Sequence, residues 1–71
     1  MNAYEASLEA LTKNIKAAVR RAKKDGTVAI GKRCLRQLTS TNGVSVHPSA
    51  FERLFDDALA AAKLPAGFVY E

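Results

Sequence analysis

The sequence predicts a mainly α domain of three helices with two or three very short strands. Two long segments repeat apolar residues every three or four positions, which is the period of one helical face. Only short β-branched or aromatic pieces lie between and after them, and turns containing glycine or proline separate the segments. Because the 71 residues contain no linker and no internal repeat, we expect one small domain over residues 1–71.

The first helix is predicted over residues 3–24. Asn2 and Glu5 have the spacing of a capping box at its start, and Asp25-Gly26 provides a stop at its end. Its apolar positions fall within one arc of the helix surface, and they are Leu8, Leu11, Ile15, Val19 and Ala22.

A short strand over residues 27–30 is predicted to lead into a second helix over residues 32–39. The inward side of that helix is predicted to hold Cys34, Leu35 and Leu38, and its outward, purely cationic side to hold Lys32, Arg33 and Arg36. Residues 40–43 have the composition of a turn, because polar side chains precede a glycine there. The alternating residues 44–46 suggest another short extended piece.

The third helix is predicted to start near Pro48 and to end before Pro65, with Ser49 and Glu52 as a second capping box. Residues 68–70 then form a final strand. The core is expected to combine the apolar positions of all three helices and of the strands, namely Leu8, Leu11, Ile15, Val19, Ile30, Leu35, Leu38, Phe51, Leu54, Phe55, Leu59 and Phe68.

Charge is distributed very unevenly along the chain. Nine of the eleven Lys and Arg residues lie between residues 13 and 36, where Asp25 is the only acid, so this segment carries a charge of +8 whereas the whole chain carries a formal net charge of +4. One or two cations in the last turn would satisfy a helix dipole, and the excess favours an anionic partner such as nucleic acid. The predicted phosphate-binding residues on the first two helices are Lys13, Lys16, Arg20, Lys23, Lys24, Lys32, Arg33 and Arg36.

The order of elements after the first helix adds to this interpretation. The short helix 32–38, the turn Asn42-Gly43-Val44-Ser45 and the helix that follows His47 have the order and turn chemistry of a helix-turn-helix. Over residues 27–70 the chain resembles winged-helix and related helix-turn-helix DNA-binding domains. The resemblance implies DNA binding and a regulatory or accessory role, such as transcription regulation or work in a mobile element.

The third helix, however, carries the wrong charge for a groove between phosphates. Glu52, Arg53, Asp56 and Asp57 sum to −2. We therefore expect the first two helices to form the nucleic-acid surface, with only the start of the third near the bases. Because the aromatic residues are not interleaved with the basic segment, the pattern favours duplex DNA, with structured RNA second, over stacking on a single strand.

No catalytic, cofactor or metal pattern stands out, so we do not expect an enzyme. Cys34 and His47 are the only residues of their types, which excludes an internal disulfide and a His/Cys zinc cluster within one chain. The longest apolar run, residues 58–62, is too short to span a bilayer, and we expect no secretory signal because no positively charged start leads into an apolar stretch. We expect a reduced, soluble, cytoplasmic protein with no membrane partner.

The alternative interpretation is a small protein-interaction or inhibitor module that docks its basic face on an acidic protein or a large complex. The alanine-rich end of the third helix, Ala58 and residues 60–62, would permit close helix packing and hence a homodimer seam. An acidic membrane surface is disfavoured, because the Leu/Ile face of the first helix is needed for the core.

Overall fold

The longest element of the fold is α1, a 22-residue helix over Ala3–Lys24. In the computed structural model, which describes residues 1–71, it is followed by β1 (Ile30–Gly31), α2 (Lys32–Leu38), α3 (Pro48–Ala62) and β2 (Val69–Tyr70). At 1.5 Å per residue α1 is about 33 Å long. It therefore accounts for most of the 36 Å long dimension of the molecule. The predicted mainly helical architecture with three helices and very short strands is confirmed.

Both ends of α1 are capped at the residues that the sequence predicts. Asn2 Oδ1 accepts a hydrogen bond from the Glu5 backbone N–H at 2.8 Å, and Glu5 Oε1 accepts from the Asn2 N–H at 3.3 Å. At the other end, Asp25 caps the helix and Gly26 adopts a φ of +94°. These contacts satisfy backbone groups that a helix end leaves without partners.

The core lies mainly between α1 and α3. Its fully buried members are Leu11, Ile15, Ala18, Val19, Ala22, Ile30, Leu35, Leu54, Phe55, Ala58, Ala62 and Phe68. Leu8, Phe51 and Leu59, which the sequence places in the core, are half-buried at its edge. Of the predicted apolar stripes, those of α1 and α3 are therefore largely correct.

The two strands form a parallel pair in which Ile30 lies opposite Val69 and Gly31 opposite Tyr70. The Ile30 N–H also donates to the Phe68 carbonyl oxygen at 2.7 Å. The strand predicted over residues 27–30 is thus displaced, since pairing starts only at Ile30 and Val28 is 87% exposed. Residues 44–46 form no strand.

Polar side chains of α1 hold the connection between α2 and α3. The Asn14 side-chain amide donates to the carbonyl oxygens of Ser40 and Asn42 at 3.0 and 2.9 Å. The buried Ser7 hydroxyl accepts from the Ser45 N–H at 2.9 Å. Residues 44–46 therefore find a partner on α1 instead of in a sheet.

The prediction for the inward side of α2 is wrong at two positions. Cys34 is exposed, and Leu38 is 51% exposed. The helix has only seven residues and buries Leu35 alone. It ends at Leu38, one residue earlier than predicted, because Thr39 adopts an extended conformation and becomes buried with its hydroxyl donating to the Leu35 carbonyl oxygen at 2.7 Å.

The cap of α3 also differs from the prediction. His47, and not Ser49, is the N-cap residue, and its Nδ1 accepts from the Ser49 N–H at 3.1 Å. Pro48 occupies the first helical turn, where its missing N–H costs no hydrogen bond. The helix ends at Ala62, and Lys63 follows in the left-handed conformation with a φ of +50°.

Gly43→Ala should destabilise the protein more than Gly26→Ala. Both glycines have positive φ, which costs an alanine about 1–2 kcal/mol. A Cβ on Gly43 would also lie 3.1 Å from the Ala10 Cβ, whereas a Cβ on Gly26 would meet nothing within 4 Å. Urea unfolding followed by circular dichroism should show the larger loss of unfolding free energy for Gly43→Ala. Equal losses for the two variants would show that the turn does not press on α1.

Candidate nucleic-acid interface

Five cations of α1 point away from the core along one side of the helix. We call Lys13, Lys16, Arg20, Lys23 and Lys24 the basic face of α1, and every one of them is exposed. At about 100° per residue these positions lie opposite the buried side of the helix, where Leu11, Ile15 and Val19 pack into the core. Burial of the apolar side thus orients the basic face outward.

Carboxylates do not neutralise the basic face. The segment from Lys13 to Lys24 contains six cations and no acid. The only ion pair within 4.0 Å in the structure joins Lys32 to Asp56, on other elements. The acids of α1 itself, Glu5 and Glu9, lie in its first two turns, where the helix dipole favours negative charge. The uncompensated positive charge is therefore confined to the second half of α1.

Lys23 differs from the other members of the basic face. Its Nζ lies 5.2 Å from the centroid of the Phe68 ring, within the range of a cation–π contact. Phe68 is buried beside β2, so this contact links the end of α1 to the C-terminal segment. The other four members make no such contact and are free to meet a ligand.

The basic residues of α2 lie beside carboxylates, which the sequence does not predict. Lys32 pairs with Asp56 of α3, and the hydrogen bond that its ammonium donates to the Asp56 carboxylate raises the pKa of Lys32, with smaller contributions from the negative charges of Glu71 and Glu52. A cleft of about 230 Å³ places Lys32, Arg33 and Arg36 beside those last two acids. The expectation of a purely cationic side is therefore wrong, because α3 and the C-terminal segment bring carboxylates to it.

Arg36 contacts an aromatic ring across the α2–α3 boundary. Its guanidinium carbon lies 4.9 Å from the centroid of the Phe51 ring. Sequence reasoning missed this pair because the two residues belong to different helices and no local pattern links them. A second cleft, of about 460 Å³, is lined by the same pair, and Glu52 is not among its lining residues.

The eight predicted binding residues thus form two groups. The five on α1 make one continuous exposed row, whereas the three on α2 face α3 and share their surroundings with its acids. No contact joins the two groups directly. The row on α1 is the stronger electrostatic feature.

The remaining polar residues assemble no cluster that could hold a metal ion. Cys34 is exposed on α2, and His47 caps α3 with its Nδ1 also 2.8 Å from the Ser49 hydroxyl. No group of three or more His, Cys, Asp and Glu side chains converges in the structure. No helix is both long enough and apolar enough to cross a membrane.

The chain matches no protein-family model, no curated protein and no solved structure. The site has to be interpreted from its own geometry and charge.

Stability should fall above pH 10, and Tyr4→Phe should reduce that fall. The Tyr4 hydroxyl donates to Asp57, and this hydrogen bond raises the pKa of Tyr4 above its usual 10.0 despite the opposing influence of Arg53. A raised pKa means that the contact stabilises the fold below pH 10 and is lost as the pH rises through the higher folded-state value.

Melting temperatures at pH 8 and pH 11 test this expectation, with Tyr70→Phe as the control because Tyr70 makes no such hydrogen bond. If Tyr4→Phe loses as much stability on alkalinisation as the native chain, the Tyr4–Asp57 contact does not contribute.

Proposed function

We propose that this protein binds nucleic acid, preferably duplex DNA, through the basic face of α1. The observation that carries the proposal is an exposed, uncompensated row of cations on a helix whose opposite side is fixed in the core. A backbone that is already ordered in a helix loses less conformational freedom on binding than the backbone of a flexible loop. The row therefore meets a polyanion as a preformed surface.

The length of the row suits a run of phosphates. Lys13 and Lys24 are separated by a rise of about 16 Å along the helix. One DNA strand places a charge every 3.4 Å along its axis, so about five phosphates match this length. Neutralising them releases condensed counterions, which gives affinity with steep salt dependence and little sequence preference.

The acids of α3 support a mode of binding in which this helix stays out of the groove. Glu52, Asp56 and Asp57 are exposed, and their charge opposes entry between two phosphate chains. The contact of Asp56 with Lys32 further lowers the positive charge available from α2. In this proposal α1 provides most of the affinity and α2 a smaller share through Arg33 and Arg36.

The winged-helix resemblance supplies the finer part of the proposal. A small domain that contacts phosphates with little base readout suits a regulatory or accessory factor, such as one that acts beside a sequence-specific protein. The arrangement of α2, the Gly43 turn and α3 along the chain is compatible with a helix-turn-helix, and β2 follows α3 at the position along the chain where a wing strand would lie.

A second candidate function is docking on an acidic protein. It is favoured by the exposed Leu38, which shares a cleft of about 190 Å³ with Arg21 and Ala22 on the flank between α1 and α2. An apolar side chain beside a cation suits a protein interface better than a phosphate backbone. The two candidates differ in which substitutions matter, since Leu38→Ala should weaken only a protein complex.

Charge reversal on α1 tests the proposed function. Lys16→Glu combined with Arg20→Glu should abolish binding of a short labelled DNA duplex in fluorescence anisotropy. For the native chain, phosphate contacts from the four members of the basic face that make no cation–π contact predict a fall in affinity on the order of a hundredfold between roughly 50 and 200 mM salt. A hairpin RNA measured alongside the duplex determines which nucleic acid is preferred.

The matched control is Arg53→Glu combined with Lys63→Glu. It changes the net charge by the same amount through the only two cations outside the basic segment. The control should retain most of the affinity and the salt slope. Equal losses of affinity in both double variants would show that binding depends on net charge and not on the basic face of α1. If neither probe binds at low salt, the proposal is refuted.

A further inference from the structure

The cleft of about 460 Å³ between α2 and α3 has an unusual lining for a surface so close to acidic residues. Its walls are formed by Arg33, Arg36, Gln37, Thr41 and Phe51, with no carboxylate among them. The adjoining cleft shares the two arginines but is lined by Glu52 and Glu71 as well. The arginines thus separate an acidic compartment from one whose only charges are positive.

One wall of the acid-free cleft is a stack of planar groups. The Arg36 guanidinium lies 4.9 Å above the Phe51 ring, and the Phe51 ring stacks on Phe55 with 6.3 Å between centroids and 25° between planes. Phe55 is buried in the core, at 1% exposure. Phe55 therefore anchors the stack in the core, and the exposed Arg36 side chain lines the cleft.

We propose that this cleft binds one unpaired nucleobase together with its phosphate. The base stacks on the Arg36–Phe51 pair, the phosphate meets Arg33, and Gln37 and Thr41 offer an amide and a hydroxyl to the edge of the base. Arginine planes and aromatic rings are the surfaces on which proteins stack exposed bases. The amide and the hydroxyl can each donate or accept a hydrogen bond, so they suit a heterocyclic edge.

The ligand must be unpaired because a base inside a duplex has both faces covered by its neighbours. This inference rests on the proposed function and restricts its ligand to nucleic acids that contain unpaired nucleotides. The preferred ligand is then a duplex that ends in, or is interrupted by, single-stranded nucleotides. The basic face of α1 contacts the duplex phosphates, and the α2–α3 cleft takes a base from the unpaired stretch.

The experiment compares three labelled DNA duplexes by fluorescence anisotropy at one salt concentration. The first is blunt, the second carries a short thymidine overhang, and the third carries an abasic overhang with the same number of phosphates. The native chain should bind the thymidine overhang roughly five- to tenfold more tightly than the abasic one, which is the low end of the measured contribution of one stacked base. The difference between these two probes excludes the phosphate contribution.

Two variants test whether Arg36 and Phe51 produce the preference for the thymidine overhang. Arg36→Lys keeps the charge on an exposed side chain but removes the planar group, and it should reduce the preference for the thymidine overhang to about one. Phe51→Leu keeps an apolar side chain at a half-buried position and should do the same. Leu59→Val, a half-buried position of α3 that lines a different cleft, serves as the control and should keep the preference.

The outcomes distinguish this inference from the proposed function. Equal affinity of the native chain for the thymidine and abasic overhangs overturns the inference, and it leaves the proposed function intact if Lys16→Glu with Arg20→Glu still abolishes binding. A preference that survives in Arg36→Lys also overturns it. If none of the three duplexes binds, the proposed function fails first and the inference with it.

Discussion

The contact between the apolar side of α1 and α3 is the one on which the rest of the structure depends. Leu11 and Ile15 of α1 and Leu54 and Ala58 of α3 are completely buried there. Because α1 is a single helix, burying one side fixes the direction of every other side chain along its length. The same constraint turns the cations outward and brings Asn14 to the connection between α2 and α3. The packing of α1 in the core thus determines which of its side chains are exposed.

The two basic regions have different electrostatic surroundings, and in the function we propose they therefore have different roles. On α1 positive charge accumulates without acids, which suits general attraction to a polyanion. On α2 the carboxylate of Asp56 engages Lys32, and the remaining arginines border a cleft with a planar wall. Affinity from the first region and discrimination from the second would together make a small protein selective without a groove-binding helix.

Sequence reasoning predicted the elements whose signals are local and missed those that depend on tertiary contacts. Asn2 and Glu5 identify the start of α1 because both partners of the cap lie within one turn. The sequence wrongly predicts an inward Cys34, because a seven-residue helix has too few positions to define a face. The proximity of Phe51 to Arg36 arises only when α2 meets α3, so no spacing along the chain could indicate it.

The parallel pairing of β1 with β2 has a consequence for how the chain folds. Ile30 and Val69 are partners, although roughly forty residues separate them, so their hydrogen bonds close a loop that contains α2 and α3. Closing such a loop costs about 3 kcal/mol in chain entropy beyond a constant term. Because helix contacts bring the two strands near each other and so offset this cost, we expect the strand pair to form after the helices have packed. Its amides would then be protected from hydrogen exchange only after the helices have assembled.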